Sequence, residues 1–92
     1  MPKLTVKLYA ALKDSAGTGR MEVEGASIPE VLHRLGEMNS ETFRSVLFDA
    51  GGKVKGGYQL LLGTAYLDPR KLDSVAIKDG DTLHVMPPIA GG

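Results

Sequence analysis

The sequence predicts an α+β fold, a mixed sheet of four to five strands with one main helix packed across one face. Three stretches carry that prediction. Residues 3–9 and 20–24 alternate apolar and polar side chains with period two, the mark of half-buried strands. Residues 27–35 open on a helix cap and continue with apolar residues at helical spacing. Residues 82–86 alternate again, directly after a strong turn signal. At 92 residues the chain suffices for one domain with one modest core.

The elements follow in order. In the first strand Leu4, Val6 and Leu8 share one face, while Lys3, Thr5, Lys7 and Tyr9 share the other. Asp14-Ser15-Ala16-Gly17-Thr18-Gly19 reads as a turn. Met21 and Val23 then alternate with Arg20, Glu22 and Glu24, so the second strand pairs with the first as a hairpin. Ser27 and Glu30 form a capping box, and Pro29 sits in the first turn, where its missing N–H costs little. Ile28, Val31, Leu32 and Leu35 make the apolar stripe of the main helix; Gly36 and Asn39 weaken its far end. Phe43, Val46 and Leu47 suit one face of a second short helix or turn.

Residues 49–57 hold four glycines and two lysines and read as a mobile loop. Residues 58–62 form a strand of buried type, and Gly63-Thr64 turns it toward a short partner at 65–67. Asp68-Pro69 closes that region, and residues 70–74 connect with one helical turn. Lys78-Asp79-Gly80-Asp81 is the turn before the last strand. There Leu83 and Val85 face one way, and Thr82, His84 and Met86 the other. A helix between the second and third strands makes this a β-grasp, with the first and last strands parallel neighbours at the sheet centre. The expected organisation is a β-grasp domain over residues 1–86 and a flexible Gly-Gly tail over residues 87–92.

Composition excludes several functions. Eleven basic residues balance eleven acidic ones, whereas a general nucleic-acid binder needs a surplus of Lys and Arg to displace counterions. No apolar run reaches the roughly 20 residues of a membrane span, and no signal-peptide core is present, so the expected compartment is the cytoplasm. The absence of cysteine removes disulfides, Cys-ligated zinc and thiol nucleophiles together. Two histidines, His33 and His84, do not make a metal site.

The remaining chemistry gathers at Pro87-Pro88-Ile89-Ala90-Gly91-Gly92. Proline donates no backbone N–H, so Pro87-Pro88 ends strand pairing and favours an extended path. Glycine passes through narrow channels and takes torsions barred to other residues. Six residues reach at most about 20 Å. That is enough to carry the carboxylate of Gly92 into a partner's active site while the body stays outside. A carboxylate becomes an acyl donor only once its oxygen is a good leaving group, and adenylation by ATP supplies one.

Thr82-Leu83-His84-Val85-Met86-Pro87-Pro88-Ile89-Ala90-Gly91-Gly92, preceded by Lys78-Asp79-Gly80-Asp81, resembles the ending of the MoaD/ThiS sulfur carriers. Val6-Lys7-Leu8-Tyr9-Ala10, with Gly17 after it, is similar to the family's start. These are ubiquitin-like β-grasp proteins, and the double proline resembles the MoaD branch, the small subunit of molybdopterin synthase. The resemblance implies that an E1-like enzyme adenylates Gly92, with ATP used by that enzyme and no cofactor held stably by the carrier. A sulfurtransferase or cysteine desulfurase then gives a Gly92 thiocarboxylate. Pro87, Pro88, Ile89, Ala90 and Gly91 thread the tail into the synthase large subunit, in an expected heterotetramer, where sulfur passes to the pterin precursor of the molybdenum or tungsten cofactor. No catalytic residue, metal, nucleic acid or membrane belongs to this reading.

The middle of the chain is longer than in a minimal MoaD. Phe43-Arg44-Ser45-Val46-Leu47-Phe48 and the loop after it resemble small archaeal modifier proteins and the carrier of one bacterial cysteine pathway. In the modifiers a target lysine attacks the activated terminus. A ubiquitin-like modifier, or a sulfur carrier for cysteine, thiamin or tRNA thiolation, is therefore the alternative.

Tyr9, His84 and Met86 point to the sheet face opposite the main helix and cluster if the first and last strands are neighbours. The resemblance implies that this face docks partner enzymes. Lys3 and Lys7 share it, chiefly as solvated charges. His84 is a contact residue rather than a general base, and His33 lies on the helix surface. Gly17-Thr18-Gly19 lacks the Lys-Ser/Thr of a phosphate loop and is a turn. Asp79 and Asp81 belong to turn chemistry rather than to a metal pair.

Overall fold

The computed structural model describes residues 1–88. Among them, five strands form one mixed sheet in the order β2-β1-β5-β3-β4, and three α-helices and a 3-10 turn connect them. The strands are β1 Lys3–Leu8, β2 Arg20–Glu24, β3 Gln59–Leu62, β4 Ala65–Tyr66 and β5 Thr82–Met86. The helices are α1 Ala10–Ala16, α2 Ile28–Glu37 and α3 Glu41–Leu47, and the 3-10 turn is Leu72–Ser74. β1 and β5 run parallel at the centre, in the register Val6↔Leu83 and Leu8↔Val85. β2 and β3 flank them antiparallel, and β4 closes the far edge. This is the β-grasp that the element order predicts.

Period-two patterning decides which face is covered. Leu4, Val6, Leu8, Val23, Leu60, Leu83 and Val85 are buried on the inner face. Ile28, Val31, Leu32 and Leu35 from α2 are buried in the same cluster. The cap of α2 forms as its sequence requires: Ser27 Oγ accepts from the Glu30 N–H at 3.3 Å. Glu30 Oε1 reaches back to the Ala26 N–H at 2.7 Å.

Two segments differ from the sequence expectation. The link between β1 and β2 is the helix α1 rather than a turn alone. Ala10, Ala11 and Leu12 favour helix, Leu12 is buried in the core, and Gly17 closes the segment at φ 76°. Residues 48–54, overlapping the expected loop, form a small hydrogen-bonded hairpin. Phe48 bridges Val54 antiparallel, and Asp49 Oδ1 accepts from the N–H groups of Gly51 at 2.9 Å and Lys53 at 3.0 Å. The Lys55 N–H donates to Leu47 O at 2.8 Å, which ties this small hairpin to the end of α3.

The region 41–47 is helical, as its apolar spacing allows. Ser40 Oγ accepts from the Phe43 N–H at 3.2 Å, and Phe43 and Leu47 are buried. Arg44 Nη1 donates to Gly36 O at 2.9 Å and Asn39 O at 2.7 Å, capping the carbonyls at the end of α2. Gly36 and Asn39 thus end one helix and receive the next.

Candidate functional site

Among the described residues no helix covers the outer face of the sheet, and the strand registers place its side chains in rows. One row crosses all five strands: Arg20, Lys7, His84, Leu61 and Tyr66 are successive cross-strand partners. It is cationic at the β2 edge and apolar at the β4 edge, where Tyr66 is 70% exposed. A second row joins Glu22, Thr5 and Thr82; Thr5 Oγ1 donates to Glu22 Oε2 at 2.8 Å. A third pairs Met86 with Gln59.

Tyr9 lies one residue beyond β1. Its hydroxyl is 2.9 Å from His84 Nδ1, and the two rings stack with centroids 6.1 Å apart. The structure therefore joins Tyr9 to His84 directly, with Met86 two residues further along the same side of β5. The next residue, Ala10, has φ 52°, a left-handed backbone uncommon for a residue with a Cβ. This kink turns the chain from β1 into α1 beside the Tyr9–His84 pair.

Sequence reasoning found Tyr9, His84, Met86, Lys3 and Lys7 on this face but missed Gln59, Leu61 and Tyr66. Residues 60–62 are three leucines in succession, which hides the alternation of Leu60 inward and Leu61 outward. The exposed aromatic of a two-residue edge strand leaves almost no pattern at all.

The other candidates resolve as structure. His33 is exposed and lies 3.7 Å from Glu37, one helical turn away. Asp79 Oδ1 accepts from the Lys3 N–H at 2.7 Å, and Asp81 Oδ2 from the Lys78 N–H at 2.9 Å. Both carboxylates brace the turn before β5, with Gly80 at φ 88°. Among the described residues no group of three or more His, Asp and Glu side chains is arranged to hold a metal, and no polar side chain is buried. No helix among them is long and apolar enough to cross a membrane. Burial pushes the Tyr58 phenol above its ordinary value. Hydrogen bonds from Arg70 hold the exposed Asp68 carboxyl below its own.

β5 delivers the tail. Pro87 and Pro88 continue directly from Met86, and Pro88 is exposed. The expected sites at Ile89, Ala90, Gly91 and Gly92 lie outside the described residues.

A mixed sheet with β1 and β5 parallel at its centre and α2 across one face defines a class, the ubiquitin-like β-grasp proteins. The profile of the ThiS family matches residues 6–92. The chain belongs to the ThiS family.

No curated protein sequence matches the chain. Solved structures do. The small archaeal modifier protein 1 (SAMP1) of Methanosarcina acetivorans is 26% identical, with a TM-score of 0.85, covering 100% of this chain and 98% of its own. SAMP1 of Haloferax volcanii is 25% identical, with a TM-score of 0.83 and 98% and 99% covered. The complex of subunits 1 and 2 of the molybdopterin-converting factor from Helicobacter pylori contains a chain 20% identical, with a TM-score of 0.66 and 98% and 99% covered. That last likeness is one of fold, and it shows the fold in the company of a partner subunit.

Proposed function

We propose that this chain is a sulfur carrier acting through the carboxylate of Gly92. The observation that carries the reading is the joining of Pro87-Pro88, and the Gly91-Gly92 sequence beyond, to the central strand β5. Pairing on both sides fixes the base of the tail. An adenylating enzyme, docked on the face around Tyr9, His84 and Met86, transfers AMP from ATP to the Gly92 carboxylate. Persulfide sulfur from a sulfurtransferase or cysteine desulfurase displaces AMP and gives an acyl disulfide. A thiol then reduces its S–S bond, leaving as a mixed disulfide, and the released thiocarboxylate enters the large subunit of molybdopterin synthase. There it yields its sulfur to a pterin and returns as a carboxylate. The body contributes docking and orientation. ATP belongs to the activating enzyme, and no stably held cofactor is required.

A second reading has its own support. The whole-chain likeness to the archaeal modifiers favours conjugation of Gly92 to a target lysine. Both readings share adenylation and differ in the acceptor.

Intact-mass measurement on protein from its own cell tests them. A sulfur-for-oxygen gain confined to the C-terminal peptide is expected for the carrier. Gly-Gly remnants on lysines of other proteins are expected for the modifier. Neither species, in cells that contain the activating enzyme, overturns both. Deleting Gly92 is expected to abolish sulfur transfer and leave the melting temperature unchanged; full transfer by the deletion variant refutes the mechanism.

A further inference from the structure

The register of β3 on β5 carries more than the sheet. Its pairs run Leu62↔Leu83, Leu61↔His84, Leu60↔Val85 and Gln59↔Met86. Two further steps set Gly57 opposite Pro88. No strand pairing is assigned there, and none is expected. Proline has no N–H to give, and Gly57 has φ 95°, outside the strand region. What replaces the ladder is close packing. A Cβ on Gly57 would stand 3.1 Å from Pro88 Cβ and 3.2 Å from Pro88 Cγ. These distances are shorter than ordinary van der Waals contact, so the pyrrolidine ring rests against a backbone with no side chain.

We infer that Gly57 is the seat of Pro88, a positioning residue that sets the direction in which the chain leaves the sheet. This deepens the proposed function and rests on it: a partner that reads the tail receives it along a line fixed at Gly57. It also gives the segment before β3 a role. The hairpin at 48–54 is tied to the end of α3, and the Tyr58 N–H contacts Lys55 O at 3.4 Å. The backbone of Gly57 is thus held between a braced loop and β3. Pro88 meets a fixed surface from which only a hydrogen atom projects.

Gly52 supplies the control. It has φ 82°, in the same segment, and a Cβ there would meet nothing within 4 Å. Gly52→Ala therefore carries the left-handed backbone strain without the collision, whereas Gly57→Ala carries both. The experiment measures ATP–pyrophosphate exchange with the adenylating enzyme of the same cell, alongside thermal melting of each variant. A displacement of about 1 Å at a reacting group can cost on the order of a hundredfold in rate. Gly57→Ala is expected to lower kcat/KM about tenfold or more, while Gly52→Ala with a similar melting temperature stays within about twofold. Pro88→Gly removes the ring that Gly57→Ala would strike, so the double variant Gly57→Ala/Pro88→Gly is expected to be no worse than Pro88→Gly alone.

In the unaltered protein, a nuclear Overhauser effect between the Gly57 α-protons and the Pro88 ring is expected. Equal exchange by the two alanine variants, full additivity in the double variant, or absence of that Overhauser effect each overturns the seat. Absence of exchange by the unaltered protein overturns instead the proposed adenylation, and the seat is then decided by the Overhauser measurement.

Discussion

The two faces of the sheet are built from the same strands and use them in opposite ways. Inward, Leu83 and Val85 of β5 are fully buried, packed with Leu4, Val6 and the helices. Outward, His84 and Met86 of that strand meet Tyr9, Lys7, Leu61 and Gln59, with no helix above them among the described residues. A residue's parity along the strand decides whether it serves stability or contact. The inner face is held by burial, which is indifferent to partners. The outer face keeps apolar and aromatic surface exposed, which stabilises a fold little and serves recognition well.

Substitutions on inward and outward residues of β5 separate these roles. Leu83→Ala is expected to destabilise the fold by about 2–5 kcal/mol, since it removes fully buried carbons and leaves a cavity; urea denaturation measures it. Met86→Glu, three residues on and outward, is expected to change stability by no more than about 0.5 kcal/mol. It should instead weaken binding to the activating enzyme about tenfold, or ~1.4 kcal/mol, as titration calorimetry would show. Unchanged affinity would remove Met86 from the contact surface, and a large stability loss would break the division between the faces. Tyr9→Phe removes the hydroxyl on His84 and is expected to cost about 0.5–1.5 kcal/mol of pairing energy, seen as a shift of the His84 ring signals by NMR. Ala10→Gly relieves a left-handed residue beside that pair and is expected to raise stability by up to about 1 kcal/mol, with the outer face unchanged.

Much of this was legible in the sequence, and the misses have physical causes. β1, β2 and β5 alternate strictly because one side of each is covered and the other is not, so pattern and structure coincide. Ser27 and Glu30 announced α2 because the cap is local chemistry. α1 was hidden: it is short, buries Leu12 alone, and ends in a run of small polar residues and glycine that imitates a turn. The hairpin at 48–54 was equally hidden, because Asp49 builds it through backbone hydrogen bonds to Gly51 and Lys53 that no hydrophobic period records. The shared outward face of Tyr9, His84 and Met86 was readable from parity. Leu61 and Tyr66 joined them only through the placement of β3 against β5, a long-range pairing.

The central place of β5 also has a mechanical consequence. A partner that draws the tail into its active site pulls along the strand axis. β5 is gripped by β1 on one side and β3 on the other, so the load falls in shear, across many hydrogen bonds at once. An edge strand pulled outward would open rung by rung, like a zip. Force applied along β5 beyond Met86 is thus borne by the two pairings that close the core.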